Sequence, residues 1–192
     1  MKAIYILLFS ILLLSCKSET INNPKIEFKT DMGSIIVELY PEKAPITCKN
    51  FLKYIDKQLL SDAKFYRTVT MNNQPNNDIK IEVIQGGLGF DVEESAFPPI
   101  EHETTEITGI KHLDGTISMA RAEIGTASTE FFICIGNQPE LDYKGRRNHD
   151  EQGFAAFGKV TKGMEIVKKI QNSPNKEQML TNQISISISR VN

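Results

Sequence analysis

From residue 26 onward the chain alternates apolar and polar positions. Ile26 and Phe28 alternate with Glu27 and Lys29, and Ile35, Val37 and Leu39 do so again after the turn residues Asp31-Met32-Gly33. A period of two with a turn between two such runs predicts a hairpin of half-buried strands. Pro41 ends the pattern, and Pro45 is suited to the first turn of a helix. Ala44, Cys48, Phe51, Leu52 and Ile55 then recur at helical spacing, which predicts a helix ending near Lys57. Further strands are expected over residues 65–69, 79–85, 115–120, 130–135 and 154–160, with polar loops over 71–78 and 137–153. Met164, Val167 and Ile170 predict a second helix that stops before Pro174. Ile184, Ile186 and Ile188, alternating with serines, predict one closing strand. Many short strands and two helices predict a mainly β domain: a closed antiparallel barrel, whose closure removes exposed edges, with the helices over its open ends.

The first residues follow another pattern. Met1-Lys2 precedes an apolar run over residues 3–14, broken only by Ser10, and Leu13-Leu14-Ser15-Cys16 ends it. The run is too short for a spanning helix and reads as a secretory signal. Its end resembles a bacterial lipobox, which implies removal of residues 1–15 and lipid on Cys16. Residues 16–25 then form a lipidated cysteine and polar tether, and 26–192 the folded domain. The resemblance implies a bacterial envelope protein held by a lipid anchor. Lys17 in place of an acidic residue points to the outer membrane.

Composition narrows the partners. The chain has 192 residues, enough for one domain. Apolar residues make up 40% and the net charge is −2, with lysines and arginines scattered, so no nucleic-acid face is expected. Beyond Cys16, Cys48 and Cys134 sit in apolar patterns and read as buried thiols, although export would permit a disulfide between them. Glu101-His102-Glu103 is too sparse for a metal site. Asp91, Glu93 and Glu94 read as a solvated acidic run, and His149 as an exposed loop residue. No Gly-x-Ser-x-Gly or Ser/His/Asp order supports a hydrolase.

Five segments share one likeness. Phe65-Tyr66-Arg67, Ile84-Gln85-Gly86-Gly87, residues 115–120 (Gly-Thr-Ile-Ser-Met-Ala), Phe131-Phe132-Ile133 with Leu141-Asp142, and Phe157-Gly158-Lys159-Val160 with Gly163-Met164 stand in this order. Together they resemble the cyclophilins. Ala44-Pro45 and Asn50-Phe51 fit that family's first helix. The resemblance covers about residues 26–191. It implies an eight-stranded barrel capped by two α-helices, a monomer, and peptidyl-prolyl cis/trans isomerase activity on proline-containing polypeptides without a cofactor. It also implies a role in folding exported proteins.

The same resemblance assigns roles. Arg67 matches the catalytic arginine, whose fixed charge would favour the twisted amide. By itself it would read as a surface arginine. Phe132, Val83 and Leu141 would line the proline pocket, with Phe154 at its edge. Gln85 would hold the substrate carbonyl and orient Arg67, while Ala120 and Arg121 would offer backbone contacts. Phe131 and Phe132, adjacent on a strand, must face opposite ways. Glu130 stands where a glutamine is common. Next to Arg67 it could fix the guanidinium and raise activity, or occupy its donors and lower it. Glu140 stands where a tryptophan is common, which bears on binding of cyclosporin-like drugs. Glu82 and Val83 replace a usual Phe-Met pair. The altered groove leaves a second reading open, a low-activity chaperone that holds proline-containing chains.

Overall fold

The structure is a computed structural model and describes residues 22–89 and 96–191. The expected signal segment, Cys16, most of the expected tether and the acidic run at 91–94 lie outside the described residues. The described residues just before 26 are already bonded to the fold. The Pro24 carbonyl accepts the Leu39 N–H at 2.9 Å, and Asn23 Nδ2 donates to Glu38 Oε1 at 2.9 Å.

Strands β1 (Lys25–Thr30) and β2 (Gly33–Leu39) form the expected hairpin. Helix α1 (Pro45–Asp56) follows, then β3 (Lys64–Val69) and β4 (Val83–Gly87). Next come the one-turn α2 (Thr105–Thr108), β5 (Thr116–Met119), β6 (Phe131–Cys134) and a 3-10 turn, Pro139–Leu141. The chain ends with β7 (Ala155–Lys162), α3 (Met164–Gln171), β8 (Asn175–Lys176), β9 (Met179–Ser185) and β10 (Ser187–Arg190). All pairings are antiparallel, in the order β10-β1-β2-β7-β5-β6-β4-β3-β9-β8. The expectation was a closed eight-stranded barrel; among the described residues the ladder instead has ten strands and an open order. The expected closing strand is divided at Ile186, where pairing passes from β3 to β1; the Ile186 N–H still bonds the Ala63 carbonyl at 2.9 Å, in line with the β3 register.

The strand expected over 79–85 starts only at Val83. Buried Gln74 is the cause. Its side chain bonds both backbone groups of Ile81 and the Thr70 carbonyl, so those groups are unavailable to a ladder. Helix α2 was not expected, although Thr104 caps it and Gly109 ends it at φ 69°.

Inside the sheet lies an aromatic core. Phe28 stacks on Phe131 at 5.1 Å and meets Phe51 and Phe65 edge-on. Helix α1 covers this core with Cys48, Phe51, Tyr54 and Ile55. Its own N-cap side chain makes no hydrogen bond. Glu103, buried and distant in sequence, accepts instead from Ile46 N, Thr47 N and Thr47 Oγ1 at 2.6–3.1 Å. A carboxylate there meets the free N–H groups and the helix dipole. A second apolar cluster of Val69, Ile81, Val83, Phe132, Cys134 and Leu141 lies on the other side of the sheet. The disulfide left open by the sequence is not formed. Cys48 and Cys134 are free, buried and in different clusters. Burial pushes the Cys48 thiol up to about 12 and Cys134 well above its ordinary value.

Candidate active site

The site begins as one row across the sheet. Arg67 on β3 faces Gln85 on β4, Gln85 faces Phe132 on β6, and Phe132 faces Ser118 on β5. Residues directly opposite one another share a face, with strands about 4.8 Å apart. The β3–β4 register shifts between Phe65 and Arg67, a bulge at Tyr66. Such a bulge re-aims side chains. Tyr66 and Arg67 therefore both reach Gln85, while Phe65 stays in the core. Phe131 is likewise in the core and Phe132 in the outer cluster, as alternation demands.

The row opens on a cleft of about 680 Å³. Arg67, Val83, Gln85, Ala120, Arg121, Glu130, Phe132, Leu141 and Phe154 all line it, so the residues expected from the sequence to meet a peptide share one cleft. Phe132 meets Phe154 edge-on at 5.2 Å, forming an apolar floor and wall. Arg121 lies over the Phe154 ring at 5.3 Å. Its guanidinium pairs with Asp150 at 2.7 and 2.9 Å and donates to the Gly153 carbonyl, which fixes the far loop against the cleft.

Arg67 is held from two sides. Nη1 donates to Gln85 Oε1 at 2.7 Å. Nε donates to Gln178 Oε1 at 3.0 Å, and Nη2 donates to the same oxygen. Three of the five donors of a guanidinium are thus engaged, leaving one on each terminal nitrogen. Gln178 sits in the β8–β9 turn at φ 74° and is itself tied to the Asn73 carbonyl. Burial draws the Arg67 pKa down from its ordinary value, yet an arginine stays charged at neutral pH.

From Arg67 the bonds continue in one direction. Gln85 Nε2 donates to Tyr66 Oη at 2.8 Å, and the Tyr66 hydroxyl donates to Glu130 Oε2. Glu130 Oε1 also accepts from Gly89 N at 3.0 Å. Burial and the adjacent Glu130 push the Tyr66 phenol up, so it remains a donor. The sequence left open whether Glu130 would pair with Arg67. It connects to Arg67 through Tyr66 and Gln85. Gly87 makes that approach possible: its φ is +145°, and a Cβ there would collide with the Glu130 carboxylate.

Behind Phe132 lies His112, whose ring stacks on it at 5.9 Å. One ring nitrogen bonds Asp142 at 2.8 Å and the other Ser118 at 3.0 Å. Burial draws its pKa below the ordinary value, against the pull of Asp142. Sequence reasoning missed His112, Gln178, Ile81 and Arg147. A lone histidine near the expected β5 strand was a faint signal for the first; Gln178 had none, because a non-glycine turn residue at positive φ is unmarked in sequence. Glu140, at the common tryptophan position, instead binds Arg146 at the surface. Glu82 takes a bond from Gln171, and His149 is exposed.

A mainly antiparallel sheet with an outward arginine–glutamine–phenylalanine row defines a peptide-cleft protein of the cyclophilin class. The family description "cyclophilin type peptidyl-prolyl cis-trans isomerase/CLD" matches residues 25–191, and the chain belongs to this family. It is 36% identical over 156 residues to a peptidyl-prolyl cis-trans isomerase of Acinetobacter baylyi, covering 79% of this chain and 74% of that one. It is 36% identical over 143 residues to peptidyl-prolyl cis-trans isomerase A of Dickeya dadantii, covering 73% and 67%. A Cryptosporidium parvum cyclophilin, solved in the presence of the dipeptide Ala-Pro, shares the fold. Its TM-score is 0.70 at 22% identity, over 88% of this chain and 99% of that one.

Proposed function

We propose that the cleft binds X-Pro segments and accelerates their cis/trans isomerisation, as the names of the relatives suggest. The observation that carries the reading is the Arg67–Gln85–Phe132 row, a clamped cation beside an apolar cluster in the cleft. Rotation about the peptide bond is opposed by about 18–20 kcal/mol of lost conjugation. No bond is exchanged, so the catalyst need only bind the twisted amide better than either planar form. In the twisted state the proline nitrogen regains a lone pair. Phe132, Val83 and Leu141 hold the ring, and the two unused N–H groups of Arg67 answer the developing electron density. Gln85 holds the guanidinium in place through the reaction.

The test is exchange NMR of a capped Ala-Pro peptide with the full chain in non-ionic detergent, beside Arg67→Ala. Acceleration by the wild type that drops about a hundredfold or more in Arg67→Ala supports the reading. Binding without acceleration in either protein favours a proline-peptide holdase.

The sheet reads further as a barrel whose seam is crossed by the chain itself. Strand β9 pairs with β3 and β10 with β1, and a single residue, Ile186, separates them. We place this domain in the bacterial envelope, anchored through lipid on Cys16 after loss of residues 1–15, acting on exported proteins. The signal-like start of the sequence supports this. Fatty-acid labelling that persists in Cys16→Ser would refute it.

A further inference from the structure

Strand β4 lays a charge gradient along the cleft. Glu130 precedes Phe131, the partner of Gly86, and its carboxylate lies against the Gly87–Gly89 end. Arg67 binds Gln85 at the middle of the strand. Arg147 holds the opposite end. Its N–H bonds the Glu140 carbonyl at 3.1 Å, and its Nη1 reaches the Ile79 carbonyl, just before Ile81 and Val83. Val83 to Gly87 spans roughly 13 Å.

The cations of this cleft are not alike. Arg121 has its own carboxylate, Asp150. Arg67 and Arg147 donate only to amide and carbonyl oxygens, and among the described residues neither pairs with a carboxylate. Both are half-buried. Both line the same cleft, and burial first, then repulsion from Arg67, draws the Arg147 pKa down. Two partly desolvated like charges without a counterion leave a region of positive potential that an incoming anion relieves. A planar guanidinium with free N–H groups matches a carboxylate.

We propose that the Val83 end of the cleft is an anionic subsite, with Arg147 as the specificity-determining residue. It selects X-Pro segments that carry an Asp or Glu side chain close to the proline. This rests on the proline-peptide reading above. Glu130 at the other end reinforces it, because it repels a carboxylate there and so gives acidic segments one preferred direction in the cleft.

The test uses the full chain in non-ionic detergent and capped peptides, so that only one side chain carries charge. Glu, Gln or Lys is placed two residues after the proline in one series and two before it in another. The expected result in one series is a kcat/KM for Glu roughly five- to tenfold above Gln, with Lys lowest. About 0.5 M salt shrinks the ratio. The Glu/Gln ratio approaches unity in Arg147→Gln and is largely kept in Arg147→Lys, each ratio being internal to one protein. Equal values for all three peptides in both series, or a ratio unchanged by Arg147→Gln, overturns the proposal. If no peptide is isomerised, the catalytic reading fails separately, and Kd values from chemical-shift titration of the same peptides still decide the anionic preference.

Discussion

Gln178 lies far from the cleft motifs in sequence, yet one oxygen of its amide accepts two N–H groups of Arg67. Gln178→Met keeps the side-chain length and the backbone bond from Thr68 N, and removes that acceptor together with the Nε2 donor to the Asn73 carbonyl. Arg67 would then be held by Gln85 alone. A hydrogen bond to a charged group contributes about 1.5–3 kcal/mol. Only the share that orients the guanidinium toward the twisted amide affects the rate. If that share is about half of one bond, the barrier rises by roughly 1 kcal/mol, a five- to tenfold loss in kcat. KM should change little, because the apolar pocket is untouched. Exchange NMR at several peptide concentrations separates the two constants. The Arg67 Nε–H resonance, shielded by Gln178 in the wild type, gives a second readout and should exchange faster with water in the variant. An Nε–H that is released while kcat stays at the wild-type value would refute the argument that this clamp orients Arg67 for catalysis.

Other expectations test the scaffold. Glu103→Ala strips α1 of its three N-terminal acceptor contacts and should cost about 2 kcal/mol, lowering Tm by roughly 4–8 °C in a scan; an unchanged Tm would show that water replaces the cap. Burial draws the His112 pKa below its ordinary value in the folded state, whereas the unfolded chain binds that proton at about 6.5. The unfolded state therefore binds more protons as pH falls, and stability is lost on going from about pH 7 to about pH 5. His102 is shifted the same way. The urea midpoint should fall over this range and fall less steeply in His112→Asn; parallel slopes would exclude His112 as a source. Cys48 and Cys134 should resist a thiol reagent near pH 8 and react only on unfolding, and rapid native labelling of either would contradict the burial found here.

Much of this molecule was legible along the chain because local rules governed it. Alternation placed β1, β2 and the faces of Phe131 and Phe132, and helical spacing with Pro45 placed α1. The ordered motifs named the lining of the cleft. Where local reading failed, a contact outside the local period had intervened. Gln74 took the backbone groups of Ile81 and delayed β4, and the last strand divided where its pairing passes from β3 to β1.

By itself, then, the sequence determined which residues alternate, which recur at helical spacing and which family motifs are present, since these are properties of neighbours in the chain. Only the tertiary structure decided how Arg67 is held, where Glu130 points and which cations lack a counterion. Each of those depends on pairing between segments: Arg67 with Gln178, Tyr66 with Glu130, Arg147 with Ile79. Hydrogen-bond direction and charge balance arise between surfaces that the folded sheet brings together, and no periodicity along the chain encodes them.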